Sequence, residues 1–302
     1  MKYILFPLLF LFFQSTGQTL KLHEASITLQ KGLHFNLKIP EGYHISIAAE
    51  GLKRPRFFAK SPDGRMFITD MWDRSDNKKG RVLILGGWNE KEKKFTSVQT
   101  YLDRLHNPNQ IAFYTVGSKH YLYVAETGRL SYYTFANGDT VPAASPKVIA
   151  TFPDYGLSYK YGGWHLTRSL AFRNNKLYVS VGSSCNACVE KEEIRATVIE
   201  MNPDGSNQHI YARGLRNSVS IQWIGNELWA TSMGRDGIGP DKPEDLLHTI
   251  RQNEFYGWPF YYQYKKAIYA DAQFKDSAKP VFVKKPPVAP WGFSAHSAPL
   301  GF

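Results

Sequence analysis

Cysteine is nearly absent. The 302 residues hold two, Cys185 and Cys188, three apart in "GSSCNACVE". Long apolar runs are missing beyond the first residues, which excludes a bilayer span in the body of the chain. No sustained helical period occurs, which excludes a helix bundle. No Gly-rich strand–helix unit is visible, which argues against a nucleotide-dependent oxidoreductase. The net charge of +11 is spread thinly, with short clusters at Lys91–Lys94, Lys265–Lys266 and Lys284–Lys285. With no basic helix or arm, nucleic acid is excluded as a partner. The charge fits a basic solvated surface or a site for an anionic ligand.

What is present is a large apolar supply. The chain is 43% hydrophobic and 15% aromatic, enough for one big core or two small ones. Its start, "MKYILFPLLFLFFQSTGQ", has one lysine, an apolar run from Tyr3 to Phe13, and the small residues Ser15 and Gly17 two apart. That pattern predicts a signal peptide over 1–17 and an exported product, periplasmic or secreted. An uncleaved anchor is the competing reading. No cysteine follows Gly17, so a lipoprotein anchor is not expected. Residues 18–39 read as a lead-in segment and 40–302 as the main domain.

A strand pattern recurs in that domain. "SPDGRMFITD", "GSKHYLYVAE", "RNNKLYVSVG" and "IGNELWATSM" each place turn residues before an apolar–aromatic pair and then alternation. The pairs Met66–Phe67, Leu122–Tyr123, Leu177–Tyr178 and Leu228–Trp229 are spaced 56, 55 and 51 residues apart. A short strand precedes each copy: "RFFAKS", "NQIAFY", "RSLAFR" and "SVSIQW". Strand clusters at a period of about fifty residues predict an all-β propeller of four-stranded blades. A β-sandwich explains the strands without the repeat. "EDLLHTIRQN" (Glu244–Asn253) is the best candidate for a helical turn, and Ala267–Pro290 reads as a long inserted loop. "FSAHSAPLGF" (Phe293–Phe302) reads as the opening of a fifth copy, so a partial propeller is expected, because a propeller closes on itself or leaves raw edges.

Loops that lead into blade strands gather toward one axial region. His165 stands five residues before Leu170, and Arg216 and Asn217 stand in the equivalent place one copy later. A histidine titrates near neutrality and suits a general base. The guanidinium fork suits carboxylate or quinone oxygens. The structural alternatives are a packed histidine and an arginine bonded to loop carbonyls. "MGRDGIGPDKPED" offers bends and carboxylates that suit Ca²⁺, although its spacing matches no EF-hand. "NEFYGWPFYY" is core or the wall of a flat-ligand pocket. His296 is a further axial residue or structural. The "CNAC" pair lacks the βαβ context of a redox motif and the further ligands of a zinc site. A local disulfide or two loop thiols are what remain.

Taken in order, "HLTRSLAF", "KLYVSVGSSCNAC", "IEMNPDGSNQHIYARGLRNSVSI", "ELWATSMGRDGIGPD", "NEFYGWPFYY" and "AHSAPLGF" resemble the quinoprotein glucose/sorbosone dehydrogenase family, on its sorbosone-dehydrogenase-like branch. The resemblance covers about Gly51 to Phe302. It implies a six-bladed β-propeller that binds pyrroloquinoline quinone (PQQ) and Ca²⁺ at its axial mouth. It implies oxidation of a small sugar, with electrons passed on to a cytochrome or quinone. The family's catalytic histidine falls on His165, its Arg–Asn cofactor pair on Arg216 and Asn217, and the calcium loop on Gly234 and Arg235. Arg168, in the same approach as His165, is assigned to the cofactor. Asn109 or Gln110 is a candidate for a polar cofactor contact from the second blade. Ser218 departs from the family's usual proline or small apolar residue. Family members also carry cationic cofactor contacts beyond the "AHSAPLGF" point, so the chain is expected to be C-terminally incomplete. Two rivals stand beside this reading: a calcium-dependent propeller lactonase, and a non-catalytic propeller that binds glycans or proteins.

Overall fold

The two-residue turns decide where strands begin. Asn174 and Asn175 both take positive φ (49° and 54°) between Arg173 and its cross-strand partner Lys176. That is the geometry of a hairpin turn whose twist matches the strands it joins, and asparagine tolerates it better than most residues. The computed structural model describes residues 20–154 and 165–302. The expected signal peptide, 1–17, lies outside them. No helix among the described residues is long and apolar enough to cross a membrane.

The chain divides into two units. The smaller takes in described residues 20–50 and the turn 89–94. Its strands β1 (Leu22–Thr28) and β2 (His34–Pro40) form an antiparallel hairpin in register from Leu22↔Pro40 to Thr28↔His34.

The larger unit carries four blade-like sheets. The first joins β3 (Pro55–Lys60), β4 (Met66–Asp70), β5 (Gly80–Asn89) and β6 (Lys94–Leu105) in sequence order. The second joins β7 (Ile111–Val116), β8 (Lys119–Ala125), β9 (Arg129–Phe135) and β10 (Lys147–Thr151). The third joins β11 (Arg168–Arg173), β12 (Lys176–Val181), β13 (Thr197–Met201) and β14 (His209–Arg213). The fourth begins with β15 (Ile221–Ile224), β16 (Glu227–Ser232) and β17 (Asp245–Ile250). A long excursion follows, holding β18 (Glu254–Phe255), the hairpin of β19 (Tyr261–Tyr264) with β20 (Ala267–Ala270), and a 3-10 turn at Ala272–Phe274. The strand β21 (Trp291–Phe293) then pairs with β17 and completes the fourth sheet.

Glu244–Asn253 is no helical turn: Asp245–Ile250 is a strand paired with β16. Its buried positions then include Asp245, His248 and Ile250, which lie on no helical stripe. Phe293 opens no fifth copy, because Trp291–Phe293 is the fourth strand of the fourth sheet. The insertion is therefore broader than Ala267–Pro290, and its first part adds β18 parallel to β14.

The repeat seen in the sequence is the core. Leu122 and Leu177 are fully buried on β8 and β12, and Leu228 nearly so on β16. Phe67 is fully buried on β4, edge-on to Tyr101, Phe113 and Phe135 at centroid distances of 5.1, 5.1 and 5.8 Å. Such pairs add roughly 0.5–1.5 kcal/mol each beyond area burial. The first strands of successive sheets touch, β3 with β7, β7 with β11, and β11 with β15. A buried polar chain ties them. Thr69 Oγ1 donates to the Asn109 carbonyl, Asn109 Nδ2 donates to Ser169 Oγ at 3.1 Å, and Ser169 Oγ donates to the Val219 carbonyl. One residue from each sheet or from the loop that enters it thus joins one hydrogen-bonded line. Gln110 adds a reciprocal pair, accepting from Leu170 N and donating to Leu170 O, both at 2.9 Å.

Candidate functional site

The entrance to β11 fixes His165. Its φ of 54° is unusual for a residue with a side chain. Arg168 holds that backbone in place. Its guanidinium is buried, with Nη1 donating at 2.9 Å to the carbonyls of His165 and Thr167 and Nη2 donating to that of Pro153 at 3.4 Å. Phe152 lies against it, 5.7 Å away. Burial, and then Arg195, lower the Arg168 pKa to about 9, so it remains a cation at neutral pH. The sequence reading gave Arg168 to the cofactor; the structure places its guanidinium on the carbonyls of the His165 loop.

The His165 ring is oriented by Ser183. Nδ1 lies 3.0 Å from the Ser183 carbonyl and 2.8 Å from Ser183 Oγ, which itself donates to the Cys185 carbonyl at 2.8 Å. A carbonyl only accepts, so Nδ1 carries the hydrogen and Nε2 carries the lone pair. Burial is the main cause that holds the imidazole pKa well below its ordinary value; Arg216 and Arg168 add to it, and Ser183 opposes them. The ring is therefore neutral at physiological pH.

Gly182 lets the neighbouring groups close in. A Cβ there would stand 2.5 Å from His165 Cβ and 3.2 Å from Asn217 Oδ1. His165 and Asn217 thus flank one bare stretch of backbone, although they are 52 residues apart in sequence. Gly214, with φ of 76° and Phe255 packed against it, makes the turn that delivers Arg216 and Asn217.

Arg216 is 4% exposed, and its partner is Asn186. Nε donates to the Asn186 carbonyl and Nη2 to Asn186 Oδ1, each at 2.9 Å. Asn186 also accepts from Asp236 N at 2.8 Å and from Trp258 Nε1 at 3.2 Å, and donates to the Asp236 carbonyl at 3.0 Å. It sits inside the loop closed by a disulfide between Cys185 and Cys188. The asparagine between the two cysteines was missed by sequence reasoning. Its signal was the spacing: a four-residue covalent ring holds one side chain in few orientations. Arg216 also lies 3.6 Å from Asp236, and burial lowers its pKa to about 10 against the opposing effects of Asp236 and Asp245.

Gly234 and Arg235 meet Arg216, Met233 and Trp258 around one pocket, and His165 lies off it, against Gly182. Gly234 N donates to buried Asp245 at 2.7 Å, and the other Asp245 oxygen accepts from Ala298 N at 2.7 Å. The Arg235 side chain is held by Asp271, Nε at 2.6 Å and Nη2 at 3.0 Å. Asp271 was not singled out in the sequence, because it sits in the insertion. His296 joins the same loop, 3.4 Å from Asp236 and 3.2 Å from the Gly239 carbonyl. Asn109 and Gln110 do not reach this cluster as ligand donors; the inter-blade ties use their side chains. Among the described residues, the side-chain group with metal-holding geometry is Cys185, Cys188 and Glu190, and the disulfide occupies its two sulfurs.

Residues 156–299 match the family described as Glucose / Sorbosone dehydrogenase. The resemblance read from the motifs holds. The matched span contains His165, Arg168, Arg216, Asn217, Gly234 and Arg235, and leaves out Asn109 and Gln110. A protein of Borreliella burgdorferi, described as uncharacterized, is 24% identical over 276 residues, which is 88% of this chain. The chain spans 66% of that relative's length, just under two thirds. A Trichoderma reesei carbohydrate-active enzyme of family AA12 superposes with a TM-score of 0.68 at 16% identity, over 94% of this chain and 76% of that one. The PQQ-bound form of aldose sugar dehydrogenase from Streptomyces coelicolor superposes with a TM-score of 0.53 at 16% identity, over 83% of this chain and 74% of that one. At these identities the structural likeness establishes the propeller fold that the dehydrogenase family shares.

Proposed function

We propose that the chain is an exported PQQ- and Ca²⁺-dependent dehydrogenase that oxidises a sugar hydroxyl or aldehyde, with His165 as general base. The observation that carries this reading is the His165 tautomer. An Nδ1–H held by a carbonyl leaves Nε2 as a proton acceptor, on a ring kept neutral by its surroundings.

The residues fit the cofactor's chemistry. PQQ carries three carboxylates and a quinone, and the donor set beside His165 is a guanidinium and a carboxamide, Arg216 and Asn217. Arg216 would bind and charge-balance the acidic cofactor, and Asn217 would add a carboxamide donor and acceptor beside it. When bound, PQQ supplies the hydride acceptor. His165 takes the hydroxyl proton on Nε2, while Ser183 and Arg168 keep the ring and its backbone fixed. No hydrogen bond from a described residue ends on the Gly234 or Arg235 carbonyl, so both stand available as hard oxygen donors for Ca²⁺. The Cys185–Cys188 disulfide supports an oxidising compartment and hence export. The six-blade count, the sugar substrate and a cytochrome or quinone acceptor are further parts of this proposal.

The lactonase reading needs a metal held by side-chain carboxylates from several blades. No such group of three occurs among the described residues. Titration of the purified chain with PQQ and Ca²⁺, followed by dye reduction with aldoses, tests the dehydrogenase. Saturable binding with sugar-dependent reduction is expected, and Arg216→Ala weakens PQQ binding about tenfold or more. Equal PQQ affinity in both chains would remove Arg216 from the site.

A further inference from the structure

The loop between β4 and β5 reads "MWDRSDNKKG". At its start Trp72 has φ of 77°, a conformation that a bulky side chain rarely takes. Three cations gather on this one ring. Lys53 Nζ lies 5.3 Å from its centroid, Lys79 Nζ 5.7 Å and the Arg81 guanidinium 5.7 Å. Such contacts occur about once per 70–80 residues in proteins at large, so three on one indole is a concentration. Arg54 is close as well, its pKa lowered first by burial and next by Arg74.

The acids nearby balance these charges only in part: Asp73 acts on Lys79 and Arg54, and Asp76 is taken by His106. Asp70 accepts from Arg54 N at 2.6 Å and Lys53 N at 3.2 Å, and pairs with Arg81. Asp73 Oδ1 is taken by Ser75 N at 2.8 Å and Asn77 Nδ2 at 3.0 Å, with Ser75 Oγ also on it. Lys53, Arg54, Arg74 and Lys79 form no ion pair among the described residues. Two of the cluster's guanidinium N–H groups, Arg54 Nε and Arg81 Nε, are buried and meet no acceptor there. Arg65, Arg129, Arg195 and Arg235 of the same unit each pair with a carboxylate.

The place of the cluster gives it a use. Met71 and Leu166 are buried in one small apolar cluster, so the next residue, Trp72, and the preceding one, His165, emerge from adjoining loops. Both have positive φ, and strained backbone concentrates at ligand sites. We propose that the Trp72 loop recognises the acidic group of an anionic sugar, so that the substrate class is a carbohydrate bearing a carboxylate. Lys53 and Lys79 meet the carboxylate, and Trp72 holds them together beside the His165 loop. The assignment of substrate class rests on the dehydrogenase reading; the anion site itself does not.

Calorimetric titration of the full chain with glucuronate, glucose and inorganic phosphate tests it, with and without PQQ and Ca²⁺. Glucuronate is expected to bind more tightly than glucose or phosphate, and less tightly as salt rises. Lys53→Ala/Lys79→Ala lowers glucuronate affinity about tenfold or more and leaves glucose unchanged. Both lysines are exposed, so the variant keeps its fold, checked by circular dichroism. Equal binding of glucuronate and glucose overturns the proposal, as does unchanged glucuronate affinity in the variant. Phosphate binding as tightly as glucuronate marks a plain anion site and also overturns it. A PQQ affinity that falls as far as the glucuronate affinity would assign the cluster to the cofactor instead. A chain that takes PQQ and oxidises glucose with no preference for glucuronate keeps the dehydrogenase and loses this site. One that binds glucuronate but never PQQ keeps the site and loses the dehydrogenase.

Discussion

The loop before β7 and the loops before β11 and β15 occupy equivalent places in their sheets, yet their polar side chains end differently. Asn109 and Gln110 turn into the molecule and close inter-blade hydrogen bonds. His165 and Asn217 close on Gly182, with the Arg216 cation near enough to act on the His165 ring. In the first case every amide group is consumed by the fold. In the second, Ser183 and Arg168 hold His165 and Asn186 holds Arg216, while Asn217 Nδ2 lies 3.4 Å from Met233 Sδ. Polar residues at blade entrances are therefore no measure of a site. A supporting partner behind the side chain, as for His165 and Arg216, is a better one.

The largest effect should come from the oriented side. His165→Gln keeps an amide near Ser183 but removes the proton acceptor. Turnover in the dye assay is expected to fall about 10²- to 10⁴-fold, with PQQ affinity within a few-fold of wild type. Loss of PQQ binding alongside turnover would make His165 a packing residue, and the contrast with Asn109 would collapse. The next largest should come from the consumed side. Asn109→Ala leaves the Arg168 carbonyl and Ser169 Oγ each short of a donor, in a site with no exposure. Unfolding in urea should show about 1–3 kcal/mol of lost stability, with kcat/KM per folded molecule unchanged. A variant that folds normally but loses PQQ affinity would put Asn109 on the ligand side of the comparison.

How far the sequence showed this follows the same division. The sheets were legible because each copy repeats one turn and one apolar–aromatic pair, and Leu122, Leu177 and Leu228 are core for that reason. His165, Arg216 and Asn217 were legible because their motifs keep family order. The holders were not. Asn186 lies 30 residues from Arg216, Asp271 lies 36 from Arg235, and no local pattern links such pairs. Glu244–Asn253 misled because its apolar residues follow helical spacing by chance, while pairing with β16 and β21 decides its conformation. Tertiary context overrides local preference in so short a segment.

Asn186 sharpens the comparison at smaller scale. Asn186→Ala removes the Oδ1 bond to Arg216 and the side-chain bonds to Asp236, but leaves the backbone bond to Arg216 Nε. PQQ affinity, read by titration, should weaken about tenfold, corresponding to one charge-assisted hydrogen bond. The kcat at saturating PQQ should stay near wild type, since His165 is held by Ser183 instead. Opening the ring with Cys185→Ser/Cys188→Ser should act in the same direction. A fall in kcat as large as the fall in affinity would mean that the two holders are one unit.

The smallest effect is a shift of a pH limb. His165 has its folded pKa below the ordinary imidazole value, so it is neutral above that range and gains its proton only in acid. The rate should therefore be flat through neutrality and fall only in acid well below the ordinary imidazole range. Arg216 is the second cause of the lowered pKa, after burial. Arg216→Gln removes that cation, so protonation of His165 becomes easier and its pKa rises toward the ordinary value. The acid limb of the profile, measured at saturating PQQ, should move to higher pH. An unmoved limb would mean that Arg216 acts on the ligand alone, and that burial and the Ser183 clasp by themselves set the protonation state of the base.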